Sequence, residues 1–216
     1  MADESKAPQS PESSQSKVTG ASPQPPAADA PASPPAAKPV SPAASTPPPP
    51  QAPLDNELTR RYRERFGSAI LDALEDRKQP ILIVDNVQLA KIARYSRDAE
   101  KFDLLEDYTA VDWPRREKRF DLVAQLYSFP LNTRLRLKIP LGDEESADSL
   151  FSVWPAANWL EREIFDLFGI VFRGHPGLKR ILLPDEWQGH PLRKDYDILQ
   201  QDTAWVRENL GIESGQ

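Results

Sequence analysis

The histidines of this chain are His175 and His190, and each stands inside the tripeptide Gly-His-Pro. A repeated His tripeptide raises metal or haem ligation. Two imidazoles alone make an incomplete zinc shell that Asp or Glu would have to complete. The residue before proline is pushed to extended geometry, so both histidines fall on loops rather than on one helical face. The other reading is structural: each imidazole bridges a loop to a neighbouring segment, and the glycine permits close approach. A second group is Glu161, Glu163 and Asp166. Paired carboxylates can act as general acid and base when their separation is right. On a helix 163 and 166 are neighbours while 161 lies elsewhere, and Arg162 with nearby cations favours salt bridging. Arg115-Arg116-Glu117-Lys118-Arg119, close to Trp113, is a basic run. Nucleic-acid binding is one use for it, and a solvated loop between two strands is the other. Arg193-Lys194-Asp195-Tyr196 differs in kind. A guanidinium fork beside an apolar ring is the equipment of an interface anchor, or else of a solvated turn.

Other chemistries are excluded. There is no cysteine, hence no disulfide, no Cys-ligated zinc and no all-thiolate iron–sulfur site. No two of the nine glycines are spaced i, i+2, and no Gly-Lys-Ser/Thr occurs, so the dinucleotide and Walker phosphate loops are missing. No Gly-x-Ser-x-Gly elbow is present, which removes that route to Ser-His-Asp chemistry. The longest clear apolar run is Ile81–Val84, far short of the roughly 20 residues of a spanning helix. The acidic opening Met1–Ser5 leads us to expect no secretory signal, and the net charge of −6 argues against nucleic acid as the main partner.

The elements that must position these residues follow from pattern. Residues 1–53 hold 15 of the 23 prolines and none of the 18 aromatics, so they are expected to be a disordered Pro/Ala/Ser-rich tail with polyproline character. From Asp55, Leu58, Tyr62, Phe66, Ile70 and Leu74 recur every four residues, predicting one helix that Pro80 stops. Ile81–Val84 reads as a buried strand, and Asn86 as the N-cap of a helix over 87–98. Residues 102–112, the alternating 120–127 and the alternating 134–139 read as strands, with a hairpin at Phe129–Asn132 and a shorter strand at Leu150–Val153. Pro155 opens and Gly169 closes a further helix. The expected fold is α+β: a two-layer, mixed and largely antiparallel sheet with helices on one side over 54–155. Residues 156–216 add that helix and an extended C-terminal arm. The arm is rich in Gly and Pro and carries Trp187 and Tyr196, so it is expected to leave the domain and bury its aromatics against another subunit.

Longer motifs then carry a resemblance. Trp159-Leu160-Glu161-Arg162-Glu163-Ile164-Phe165-Asp166-Leu167-Phe168-Gly169-Ile170 leads into Phe172-Arg173-Gly174-His175-Pro176. Arg180-Ile181-Leu182 follows, and then Trp187-Gln188-Gly189-His190-Pro191-Leu192-Arg193-Lys194-Asp195-Tyr196. These motifs, with Tyr108–Trp113 upstream, resemble the 30-kilodalton subunit of proton-pumping NADH–quinone oxidoreductase (complex I). Gly177, Lys179 and Asp197 depart from the residues usual in that family. The resemblance implies a non-catalytic structural subunit of the hydrophilic arm that positions redox subunits for electron transfer from NADH to quinone. Its main partner would be the 49-kilodalton subunit among other arm subunits. It would hold no cofactor, with FMN and iron–sulfur clusters on other subunits. The complex would lie peripherally on the cytoplasmic face of the bacterial inner membrane, and this chain would meet the membrane only through it. The expected partner interface is Glu161, Arg162, Glu163, Asp166, His175, Arg180, Trp187, His190, Arg193, Lys194, Asp195 and Tyr196, with no catalytic or metal-binding residue. Two rivals are the equivalent subunit of a related membrane-bound hydrogenase or other quinone or coenzyme dehydrogenase, and a free-standing metal-dependent enzyme using His175 and His190.

Overall fold

A computed structural model describes residues 51–197 and 203–211. Most of the expected tail lies outside those residues, as do 198–202 and 212–216 of the arm.

Helix α1 (Glu57–Phe66) begins at a reciprocal cap. Asn56 Oδ1 accepts from the Thr59 amide at 2.9 Å and Thr59 Oγ1 accepts from the Asn56 amide at 3.0 Å, so two amides without helical partners are satisfied. The helix does not continue to Leu74 as its spacing suggests. Gly67 has φ +55° and breaks it, and a short 3-10 turn leads into β2 (Ile70–Asp76). A four-residue spacing fits a strand face as well as a helix face, because 70 and 74 are also an even number apart. β2 returns through Arg77 and Lys78, both left-handed, as a two-residue hairpin into β3 (Gln79–Val84). Pro80 is thus a strand residue, not a helix stop.

A short β1 (Ala52–Pro53) pairs with β2, so the last two residues of the expected tail belong to the sheet. Helix α2 (Leu89–Asp98) follows a 3-10 turn that Asp85, not Asn86, caps by accepting from the Val87 amide. Then come β4 (Leu104–Asp112), β5 (Phe120–Ser128) and β6 (Thr133–Leu141), an antiparallel meander. The six-stranded order is β1-β2-β3-β6-β5-β4, and the one parallel pairing in it joins β3 to β6. The expected strand at 150–153 is instead a turn. The pairing there lies earlier, between β7 (Ala147–Asp148) and β8 (Phe172–Arg173).

Register decides what faces the core. Leu122, Ala124 and Leu126 stand opposite Ile139, Leu137 and Leu135, and all six are buried. Tyr62 of α1, Leu89 and Ile92 of α2, and Ile164 and Phe168 of α3 (Ala157–Phe168) pack into the same cluster. All three helices therefore cover one face of the sheet, as the α+β reading expects. The other face is polar and half exposed, with Arg134, Arg136 and Lys138 opposite Tyr127, Gln125 and Val123. Among the described residues no helix is long and apolar enough to cross a membrane. α4 (Thr203–Leu210) closes the described chain.

Candidate functional site

Helix α3 carries the motif residues, and its apolar face fixes which of them turn inward. Ile164 and Phe168 pack on the sheet, and Asp166 and Glu161 are both fully buried. Two buried carboxylates on one helix each need a full set of donors. Asp166 finds them in the arm. Its Oδ2 accepts from the amides of Ile181, Leu182 and Leu183 at 2.9, 2.8 and 2.9 Å, and its Oδ1 accepts from Arg180 at 2.7 Å. Burial drives this carboxyl upward, but the four bonds outweigh it and hold it below the usual carboxylate range. Arg180 also donates to the carbonyls of Trp187 and Gly189. One carboxylate thus ties down residues 180–189 without a helix or strand.

A second cluster pins the end of the arm. Asp112 sits on the inward side of β4, its side chain without exposure. Arg119, itself buried, meets it through two nitrogens at 2.8 and 2.9 Å. The same guanidinium reaches Asp143 at 2.9 Å and Asp195 at 2.7 Å. The Lys194 amide donates to Asp112 at 2.7 Å. Arg193 bonds Asp143 at 2.6 Å and the carbonyl of Phe168, with Phe120 under its guanidinium. The bond to Arg119 is the chief reason that the Asp195 carboxyl falls to about 2. Asp112 is lowered first by Arg119 and further by the Lys194 amide.

Glu161 has a different environment. Ser149 Oγ and the Leu150 amide both donate to it at 2.6 Å, yet burial outweighs them and pushes the carboxyl up to about 7. The Tyr108 hydroxyl is buried without a hydrogen-bond partner. Burial first, and the Glu161 charge second, raise that hydroxyl well above the usual range.

The histidines bridge segments of their own chain. His175 Nδ1 accepts from the Gly177 amide, which leaves Nε2–H to donate to the Asn158 carbonyl of α3 at 3.0 Å. His190 Nδ1 donates to the Asp166 carbonyl at 2.8 Å. Its ring lies over Gly169, where an added Cβ would come within 2.7 Å; Gly169 also has φ +80° and caps α3, so glycine is required twice. No cluster of three or more His, Cys, Asp or Glu that could hold a metal occurs among the described residues.

Two expectations are corrected. The described part of the arm, to Asp197, does not leave the domain but returns over α3 and the β4–β5 end, because Asp166 and Asp112 supply acceptors that its backbone would otherwise lack. Glu161 and Asp166 do not face outward; burial and their intrachain donors make them supports of the surface. Arg162 donates to the carbonyls of residues 179 and 180 and lies over the Trp159 ring. Glu163, Lys194 and Asp195 are exposed, while Trp187 and Tyr196 are half buried. Above this base stand Trp159 and Leu182, each 61% exposed, with Val171 and Leu192 also outward. The sequence reading misses Asp112, Arg119 and Asp143. A charged residue in phase with the inward positions of a strand is the signal for Asp112.

The family model described as the respiratory-chain NADH dehydrogenase 30 Kd subunit matches residues 82–202. The chain belongs to this family. Its counterpart in the NADH-quinone oxidoreductase of Geotalea uraniireducens is 41% identical over 149 residues, covering 68% of this chain and 91% of that protein. The Geobacter sulfurreducens counterpart is 42% identical over 150 residues, with 68% and 93% covered. Among solved structures, a chain of an archaeal respiratory membrane complex, the membrane-bound sulfane sulfur reductase, matches with a TM-score of 0.58 at 25% identity, covering 74% of this chain and 93% of that one. The family match takes in the Asp112, Asp166 and Asp195 anchor points, and with them nearly the whole knot between α3 and the arm.

Proposed function

We propose that this chain is a non-catalytic structural subunit in the hydrophilic arm of a proton-translocating NADH–quinone oxidoreductase. It is seated beside the 49-kilodalton subunit, on the cytoplasmic face of the inner membrane, and holds redox subunits in register. FMN and iron–sulfur clusters belong to its partners. The observation that carries the reading is the exposed apolar set Trp159, Val171, Leu182 and Leu192 over a base bolted by Asp166 and Arg119. Apolar side chains held outward on a rigid support are interface anchors, since little ordering cost remains on docking. Rigid placement is itself useful, because a misplacement of about 1 Å in a reacting assembly can cost about 100-fold in rate. In this reading Arg162, Glu163, His175, Lys194 and Tyr196 rim the contact, while Glu161, Asp166, Arg180 and Arg193 shape it from behind.

The test is affinity purification of the tagged chain in mild detergent with identification of its neighbours. Co-purification of NADH-oxidising flavoprotein subunits and the 49-kilodalton subunit is expected. A bound prosthetic group or turnover in the lone chain would refute the reading. The likeness to the sulfane sulfur reductase chain supports one alternative, the equivalent place in a related respiratory membrane complex; hydrogenase or reductase subunits in the same pull-down would favour it.

A further inference from the structure

The end of α1 and the outer side of α2 enclose an open groove of about 730 Å³, far from the knot in sequence. Its floor holds Phe66 and Tyr95, edge to face with ring centroids 5.3 Å apart. Its walls carry Arg65, Lys91 and Arg94, all exposed. Elsewhere the chain matches arginines to acids: Arg60, Arg61, Arg97, Arg116, Arg119, Arg134, Arg136, Arg173, Arg180 and Arg193 each sit within 4.0 Å of a carboxylate. Arg65, Lys91 and Arg94 have no ion-pair partner among the described residues. Asp98, at the rim, is engaged by Arg97 at 2.7 Å. A chain of net charge −6 therefore gathers unmatched cations around one apolar floor.

We infer that this groove docks an acidic segment of a neighbouring subunit, one that drops an aromatic or leucine side chain onto Phe66 and Tyr95 while its carboxylates meet Arg65, Lys91 and Arg94. The inference rests on the subunit role proposed above. Charge complementarity selects the acid, and the recessed aromatic floor selects a peptide over a bilayer. Anionic lipid surfaces are read by flat clusters of about four to eight cations, and a flat surface cannot reach a recessed floor. The chain's own first 50 residues fit poorly. They carry four acids against three lysines, and no aromatic or leucine.

The probe is a fluorescent random copolymer of glutamate and tyrosine, titrated into the full chain. Binding that weakens as salt is raised is expected. Poly-glutamate should bind less tightly, since it brings no ring. R65E/K91E/R94E should bind the copolymer on the order of tenfold to hundredfold more weakly, whereas R65K/R94K should retain it. Equal binding by the charge-reversed variant, equal binding of poly-glutamate, or tighter charge-dependent binding of phosphatidylglycerol vesicles would each overturn the inference. In the assembled complex, a photo-crosslinker at position 90 should label an acid-rich segment of another subunit. Labelling of residues 1–50, of lipid, or of nothing would sink it. Absence of NADH dehydrogenase subunits from the wild-type purification would instead count against the proposed function, and the copolymer result would stand apart from it.

Discussion

Replacing Glu161 by glutamine isolates the cost of a buried charge. In the folded chain this carboxyl titrates near 7, against an ordinary 4.5. A carboxyl raised on folding keeps its proton longer in the folded state. The unfolded state therefore binds fewer protons between the two values, and stability falls as pH rises through that window. The gap is about 2.5 pH units, and at roughly 1.4 kcal/mol per unit the folded state gives up about 3 kcal/mol by pH 8. About 2–3 kcal/mol of that falls between pH 5 and pH 8. Glutamine imitates the neutral acid: its carbonyl can accept from the Leu150 amide and its amide can donate to Ser149 Oγ. Urea unfolding of wild type and E161Q at pH 5 and pH 8 reads the effect. At pH 5 the two should agree within about 1 kcal/mol, and at pH 8 the glutamine variant should be the more stable by about 2 kcal/mol. If the two proteins lose stability in parallel across this range, Glu161 is not ionising and the burial argument is wrong.

Other outcomes follow from the same contacts. Y108F removes a buried hydroxyl that has no partner, so it should be neutral or stabilising by about 1 kcal/mol in a thermal melt; a loss above that would reveal a hidden bond. D166A strands Arg180 and three amides and should cost about 3–5 kcal/mol, with proteolysis at 178–190 accelerating before the sheet unfolds. R119A leaves Asp112 buried without its cation and should cost a similar amount. Because Asp112, Asp166 and Asp195 are all held low, their contribution is present above about pH 4 and lost on acidification toward pH 2. The R119A melt should therefore show a shallower acid limb than wild type. R193A should lower the stability of the isolated chain by about 1–2 kcal/mol, because its partners Asp143 and the Phe168 carbonyl are its own; an unchanged melting temperature would restore the view that Arg193 waits for another subunit.

What the sequence discloses is set by how local the determining contact is. Strands β5 and β6 are legible because alternation writes their buried face directly into neighbouring residues, and the hairpin between them needs only residues 129–132. Helix α3 is legible because Gly169 marks its end. The β2–β3 hairpin is not, because Arg77 and Lys78 adopt left-handed turns that glycine or asparagine usually announces, and because Ile70 and Leu74 satisfy two periods at once. The family motif locates the arm but not its course. The donors of residues 181–183 are backbone amides, which no side-chain pattern displays, and their acceptor lies 15 to 17 residues earlier. Asp112 and Lys194 are 82 residues apart, beyond any spacing rule.

The parallel pairing of β3 with β6 has a consequence in time. The meander β4-β5-β6 closes through short links, whereas β3 must wait for a strand some 55 positions away, and it meets it over three paired positions. Loop closure over that distance is slow relative to hairpin formation. The sheet is therefore assembled in two instalments: the β4–β6 ribbon emerges first, and the β1–β3 flap zips onto it afterwards. When the protein breathes, that seam is the line along which it opens.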